Sequence, residues 1–244
     1  MPAVKDVTLE AVLFDVDGTL ADTERDGHRP AFNAAFAEHG LDVVWTPQHY
    51  GRLLAITGGR RRIAHDLSRR GYRTAERLAA DIHLTKTALF RDAILDGTIT
   101  PRPGVRQLVD DLTHGGIRIG VVTTGRRAWV QPLLEHLLPG VPIQVTITGD
   151  DVQRLKPDGE AYLRALQEMA LTPRSALAIE DSAVGLRAAR SAGVATVVVR
   201  NDYTARQDFT GAAQVRDEFD GSESLRADGC RRIHSEFWKR ADQK

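Results

Sequence analysis

Between residues 117 and 199 the chain alternates strand-length apolar runs with helical stretches, and nothing else in it constrains the fold as tightly. The runs are residues 117–122, 143–147, 176–179 and 195–199. Helical stretches are expected at 105–114, 127–137, 158–170 and 183–191. Strands that alternate with helices need crossover connections, so they build a parallel sheet with helices on both faces. One more apolar run, residues 7–14 (VTLEAVLF), ends in acidic residues and Gly18 and reads as a buried first strand.

Between the first strand and the rest, residues 22–97 change character. Helices are expected at 31–39, 47–56, 60–70 and 75–95, each closed by glycine at 40, 58–59, 71 and 97. In the last, Leu78, Ile82, Thr85, Leu89 and Ala93 step by three or four and form one face. Residues 98–104 (TITPRPG) read as a linker. The expected organisation is therefore an α/β Rossmann-like core of residues 1–22 and 98–220, an inserted all-helical cap at 23–97, and a polar tail at 221–244. The tail has no assigned role, with Phe237 and Trp238 its only docking candidates.

Composition excludes several classes. An apolar fraction of 42% fits a globular chain and not a disordered one. Lys plus Arg and Asp plus Glu are both 33, so no global basic field exists to hold nucleic acid or an anionic membrane. The single cysteine, Cys230, precludes an intrachain disulfide and fits a cytoplasmic setting. The first ten residues do not read as a secretory signal, and no run reaches membrane-spanning length.

In a parallel sheet, chemistry gathers at the carboxyl ends of the strands. The first strand ends in Asp15-Val16-Asp17-Gly18-Thr19 and the second in Thr123-Thr124-Gly125. Lys156-Pro157 follows the third, and Glu180-Asp181 ends the fourth. Four carboxylates crowded together repel, and a hard divalent cation, for which oxygen ligands suit Mg2+, relieves this. Metal, lysine and hydroxyl suit phosphoryl transfer, because they neutralise a phosphate that would otherwise repel an attacking carboxylate. Asp15 is then the candidate nucleophile, forming an aspartyl-phosphate, and Asp17 the acid and base. Gly18 allows a sharp turn. Thr123 offers a hydroxyl, and Thr124 and Gly125 are candidate substrate-binding positions, with the Thr124 N–H a donor to phosphate oxygens. Ser182 reads as the cap of the following helix, and Asp150-Asp151 as a solvated loop.

These motifs, in order from residue 9 to about 219, resemble the haloacid dehalogenase-like phosphotransferases. The resemblance implies a Rossmann-like core with a helical cap inserted after the first motif. It also implies Mg2+ held by the Asp15 carboxylate, the Asp17 backbone carbonyl and Asp181, with Glu180 close or ligating. A closer likeness runs through the cap. Residues 22–29 (DTERDGHR) with Phe32-Asn33, Tyr50-Gly51, Leu53-Leu54 and Thr57-Gly58-Gly59-Arg60 resemble the CbbY-like proteins, which are similar to beta-phosphoglucomutase. So do Gly193 and Asp202-Tyr203-Thr204. That likeness implies a monomeric phosphatase of a small sugar phosphate, with xylulose-1,5-bisphosphate a candidate substrate and a sugar phosphomutase the alternative. The chain departs from the family pattern at 156–160 (KPDGE) and 59–62 (GRRR), which leaves the substrate open.

Residues 60–77 carry seven arginines against Asp66 and Glu76. Guanidinium forks suit a phosphate held away from the metal, and Arg60 stands at an expected helix start where N–H groups also favour anions. Arg60, Glu24, His28 and Tyr50 are the candidate cap contacts to substrate. A receiver-type signalling module shares the acidic cluster, Thr and Lys-Pro, but its acidic pair comes early and it has no helical insert.

Overall fold

The computed structural model describes residues 8–56 and 58–243. Two compact units are found: Asp22–Ile99, and the described residues up to Ala21 together with those from Thr100 on.

The larger unit is built on six parallel strands: β1 (Ala11–Phe14), β2 (Arg118–Val122), β3 (Ile143–Ile147), β4 (Ala176–Glu180), β5 (Ala195–Val199) and β6 (Gln214–Arg216). Their order is β3-β2-β1-β4-β5-β6. The chain winds outward from β1 through β2 to β3, then starts again at β4 on the other side of β1. The crevice outside β1 and β4 is thus the topological switch point of the sheet, where an open α/β fold binds its ligand. Every residue of β1, β4 and β5 is buried, as expected for strands covered on both faces.

Successive side chains of a strand point to opposite faces. Ala11 and Leu13 of β1 share a core with Ala161, Tyr162, Ala165 and Leu166 of α7 (Glu160–Glu168) and with Ala188 and Ala189 of α8 (Ala183–Ser191). On the other side, α5 (Val105–His114) packs on β2, and α9 (Ala227–Ala241) packs on β5 and against α5. α6 (Arg127–Leu137) connects β2 to β3.

The strands and helices expected at 75–95, 105–114, 127–137, 143–147, 183–191 and 195–199 have those bounds in the structure. Others shift at their ends. The first strand, expected from residue 7, is observed over Ala11–Phe14, and Val7 lies outside the described residues. The helix expected at 158–170 narrows to Glu160–Glu168. Among the described residues, the strand β6 and the helix α9 were not expected. The tail from residue 221 therefore contains an integral helix. Its N-terminus is held by the Asp111 carboxylate, which accepts from Ala227 N at 2.7 Å. Cys230, Ile233 and His234 are buried beneath it, and Trp238 lies over the Arg174 guanidinium at 4.7 Å. Burial pushes the Cys230 thiol up to about 12, so it stays protonated and unreactive.

The smaller unit contains a π-helical turn (Glu24–His28), α1 (Arg29–Glu38), α2 (Pro47–Leu53), α3 (Gly59–Arg69) and α4 (Ala75–Leu95). α4 packs against both α1 and α3. Its core is aromatic: Trp45 lies 4.7 Å from Phe32, 4.9 Å from Phe36 and 5.6 Å from Tyr50 between ring centroids. Burying each such ring contributes roughly 2 kcal/mol. Asp66 fixes this core from α3. It accepts from Trp45 Nε1 at 2.8 Å and Arg70 Nε at 2.7 Å, and pairs with His49 Nε2 at 2.8 Å. Burial raises its pKa, but these three donors outweigh burial and hold it below the ordinary carboxylate value.

Asp66→Ala leaves the buried Trp45 N–H without its acceptor. The expected loss is about 2 kcal/mol of stability, read as a lower urea midpoint at unchanged m-value. An unchanged midpoint would show that Asp66 is dispensable to the core.

Candidate active site

At the switch point the carboxyl ends of β1, β2 and β4 come together around one ammonium group. Lys156 Nζ donates to Asp15 Oδ1 at 2.6 Å, to Glu180 Oε1 at 2.7 Å and to the Val122 carbonyl at 2.8 Å. These three bonds use all the hydrogens of an ammonium. Its side chain is 4% exposed. Tyr162 OH donates to the same Glu180 Oε1 at 2.6 Å, and the Lys156 ammonium lies over the Tyr162 ring at 5.3 Å.

The electrostatics follow from burial. Desolvation works against the charged Lys156, but Asp15 and Glu180 outweigh it and raise its pKa above the ordinary lysine value. Burial pushes Glu180 up to about 7 against the pull of Lys156. Burial likewise raises Asp15, with Lys156 opposing and nearby Asp17 adding to the rise. Asp181 is raised well above the carboxylate range by burial and then by Asp15 and Glu180. One ammonium among these acids leaves an unmet demand for positive charge.

Asp15, Glu180 and Asp181 each offer a carboxylate oxygen within 4.8 Å of the others, and all three are buried. Such a cluster could hold a metal ion, and its oxygen-only donors fit a hard divalent cation. A glycine makes room for one of these acids. Gly185 packs on the Glu180 carboxylate so closely that any Cβ there would overlap it. Ser182 caps α8, its Oγ accepting from Gly185 N at 3.1 Å.

Thr123 is buried, and its Oγ1 accepts from Gly125 N at 2.9 Å. Gly125 also accepts from Gly149 N at 2.8 Å, so Gly125 has its N–H and carbonyl engaged within the loops themselves. Thr124 is exposed and Asp17 half-buried. Asp150-Asp151, expected to be a solvated loop, instead ties the loops after β2 and β3 together. Asp151 Oδ2 accepts from Thr148 N at 2.8 Å and pairs with Arg127, while Asp150 Oδ2 accepts from Arg127 N at 2.9 Å at the start of α6.

The smaller unit gathers its own polar cluster. Tyr50 OH donates to Glu24 Oε2, and Arg62 Nη1 reaches Tyr50 OH at 3.3 Å while its Nε donates to the Ile56 carbonyl at 2.9 Å. Arg60 stands apart, exposed, with Glu76 at 4.0 Å. Thr57 lies outside the described residues. His28 Nδ1 faces Lys86 Nζ at 2.7 Å and its ring packs on Phe90 at 3.9 Å. Desolvation first, and then the Lys86 charge, lower His28 to about 3.

Four residues were not singled out from sequence: Tyr162, Asn201, Arg62 and Arg102. Tyr162 lies on the buried face of α7, where periodicity assigns it to packing and says nothing of its hydroxyl. Arg62 had a usable signal, since it lies one helical turn before the buried Asp66, whereas Arg60 and Arg61 are exposed.

Residues 9–193 match the family model described as haloacid dehalogenase-like hydrolase. The chain belongs to this family and is a phosphatase. It is 41% identical over 207 residues to Protein CbbY of Rhodobacter capsulatus, covering 84% of this chain and 91% of that one. Over 215 residues it is 41% identical to Protein CbbY of Cereibacter sphaeroides, covering 86% and 93%. The crystal structure of CbbY from Rhodobacter sphaeroides in complex with phosphate superposes with a TM-score of 0.79 at 39% identity, covering 91% of this chain and 99% of that one. A mutant of that CbbY in complex with xylulose-(1,5)bisphosphate matches with the same TM-score at 38% identity and the same coverage. No helix among the described residues is long and apolar enough to cross a membrane.

The depressed pKa of His28 has a thermodynamic consequence. The unfolded imidazole takes up a proton near pH 6.5, but the folded one stays neutral to about 3. Stability therefore falls as pH drops from about 6.5 toward 3 and is unaffected by this group above that range. Melting temperature measured across this window should fall less steeply in His28→Gln than in the wild type, and equal slopes would remove His28 as the cause.

Proposed function

We propose that the protein is a magnesium-dependent phosphatase of a sugar bisphosphate, xylulose-1,5-bisphosphate being the leading candidate, working through an aspartyl-phosphate on Asp15. The observation that carries this reading is the Asp15 carboxylate at the tip of β1, bonded to a buried lysine and flanked by Glu180 and Asp181. The bound sugar bisphosphate of the related CbbY supports the substrate class.

In the first half-reaction an Asp15 oxygen attacks phosphorus, and the bond from phosphorus to the sugar oxygen breaks. The electron pair leaves on that oxygen, which takes a proton from Asp17. In the second, Asp17 takes a proton from water as the water attacks phosphorus, and the phosphorus–Asp15 bond breaks to release phosphate. Lys156 opposes the rise that burial imposes on Asp15 and offsets repulsion between carboxylate and phosphate. Thr123 and the Thr124 N–H meet the phosphate oxygens. A Mg2+ ion held by Asp15, the Asp17 backbone carbonyl, Asp181 and Glu180 would supply charge neutralisation for the transferred group.

In the smaller unit, Glu24, Tyr50 and His28 are the residues whose chemistry suits sugar hydroxyls. Lys86 occupies His28 Nδ1, which assigns the proton of the neutral ring to Nε2 and makes that atom the donor. The second phosphate falls to a guanidinium. Arg62, already drawn to the Glu24–Tyr50 pair, is better prepared for this than the exposed Arg60.

Phosphate release from an aryl phosphate should require Mg2+, cease with EDTA, and drop at least about a thousand-fold in Asp15→Asn. Activity that survives either treatment contradicts the mechanism. Incubation with a sugar 1-phosphate distinguishes the mutase alternative, which would isomerise it without releasing phosphate.

A panel of sugar mono- and bisphosphates separates the two arginines. Arg62→Ala is expected to raise KM for bisphosphates about tenfold or more while aryl phosphate turnover is retained, with Arg60→Ala showing the smaller effect. Equal effects of Arg62→Ala on all substrates would argue against a distal-phosphate role.

A further inference from the structure

Gly18 is where several segments of the larger unit meet. Its φ of +81° lies in the left-handed region, and a Cβ there would collide with Asp181 Oδ2 and come within 2.6 Å of Asn201 Nδ2. The Gly18 carbonyl accepts from Arg102 Nη1 at 2.6 Å and from Asn201 Nδ2 at 3.4 Å. The same Asn201 Nδ2 donates to Asp181 Oδ2 at 2.8 Å.

Asn201 is itself fixed. Its Oδ1 accepts from Tyr203 N at 2.9 Å, and its backbone N–H donates to Thr204 Oγ1 at 2.9 Å. An amide oxygen occupied by a backbone donor leaves the NH2 no choice but to face Asp181 and Gly18. Arg102 is buried and holds the surroundings together. Beyond Gly18 it donates to the carbonyls of Val199 at 2.9 Å, Arg200 at 3.0 Å and Asp217 at 3.3 Å, with its guanidinium over Phe219 at 5.4 Å. One side chain thereby ties the loop after β1 to the segments leaving β5 and β6.

The three acids of the cluster are thus held by different chemistry. Asp15 and Glu180 share the Lys156 charge, whereas Asp181 is oriented by a neutral amide. A neutral donor fixes a carboxyl group without placing a positive charge beside it, so a divalent cation meets no competing cation at Asp181. An ammonium or guanidinium in its place would compete with that cation.

We propose that Asn201, oriented through the Arg102-held Gly18 carbonyl, is a positioning residue that sets the affinity of the acidic cluster for its divalent cation. This rests on the reading of Asp15, Glu180 and Asp181 as a cation site. Asn201 acts through Asp181, which it holds with a carboxylate oxygen near those of Asp15 and Glu180.

Binding of Mn2+ to the EDTA-stripped, dialysed full chain, with unbound Mn2+ counted by electron paramagnetic resonance, tests this without relying on activity. Asn201→Ala is expected to weaken binding by about 10- to 100-fold. Its kcat at saturating Mg2+ should remain close to wild type, the loss appearing in the cation concentration needed. Asn201→Ser, which keeps a donor, should recover part of the affinity, and Arg102→Lys should shift it in the same direction as Asn201→Ala but less. Melting temperature in EDTA reports folding, and Asn201→Leu replaces the alanine variant if that one is unfolded. Folded non-donor variants that bind Mn2+ as tightly as the wild type overturn the proposal alone. A wild-type chain that binds no Mn2+ overturns the reading of the acidic cluster as well.

Discussion

The Lys156 ammonium is the interaction on which the catalytic end of the molecule depends. It comes from the loop after β3, yet its bonds run to the ends of β1, β2 and β4. Without it, Asp15 and Glu180 would face each other in a buried place with no opposite charge, and one would take up a proton. The sheet order makes this meeting possible. Because β4 inserts beside β1 and not beside β3, the last acidic pair lands next to the first motif, although 165 residues separate Asp15 from Glu180. The parallel direction of every strand then points all these loops the same way.

Around this charge the protein has arranged absence of side chain as carefully as its presence. Gly18 and Gly185 stand where a single methyl group would overlap Asp181 or Glu180. Their role is to let carboxylates approach backbone, so the acids can be buried and still converge. The loops that present Thr123 and Thr124 are held by different means, Asp150 and Asp151 binding Arg126 and Arg127 across the two loops. Rigid mounting of this kind keeps donors in place during the reaction without reorganisation.

The smaller unit solves a separate problem, which is to keep polar groups inside an aromatic core. Asp66 is satisfied by three donors, and Lys86 sits between the rings of Phe32 and Phe90 with His28 as its acceptor. Glu24, Tyr50 and Arg62 form a third linked set. Each set is internally matched, so burial costs less than the individual charges suggest. The price of this arrangement is sensitivity to acid, because a neutral His28 must stay neutral.

The residues of the site's centre could be read directly because they follow strand ends, and strand ends are marked by apolar runs that stop at charged residues. Asp15, Lys156, Glu180 and Asp181, which the structure brings together, were found in this way. β6 escaped because three residues carry too little apolar pattern, and α9 because Cys230, Ile233 and His234 form its buried stripe while charged residues surround them. Local sequence determined most of the elements, their succession along the chain, the acidic strand ends and the chemistry they suit. Tertiary structure alone decided which partners those groups have: Tyr162 on Glu180, Asn201 on Asp181, Arg102 on Gly18, and Arg62 in place of Arg60 beside Tyr50. Periodicity tells which face of an element is buried, but hydrogen bonds between distant segments depend on helix phase, rotamer and loop path, which exist only once the chain has packed.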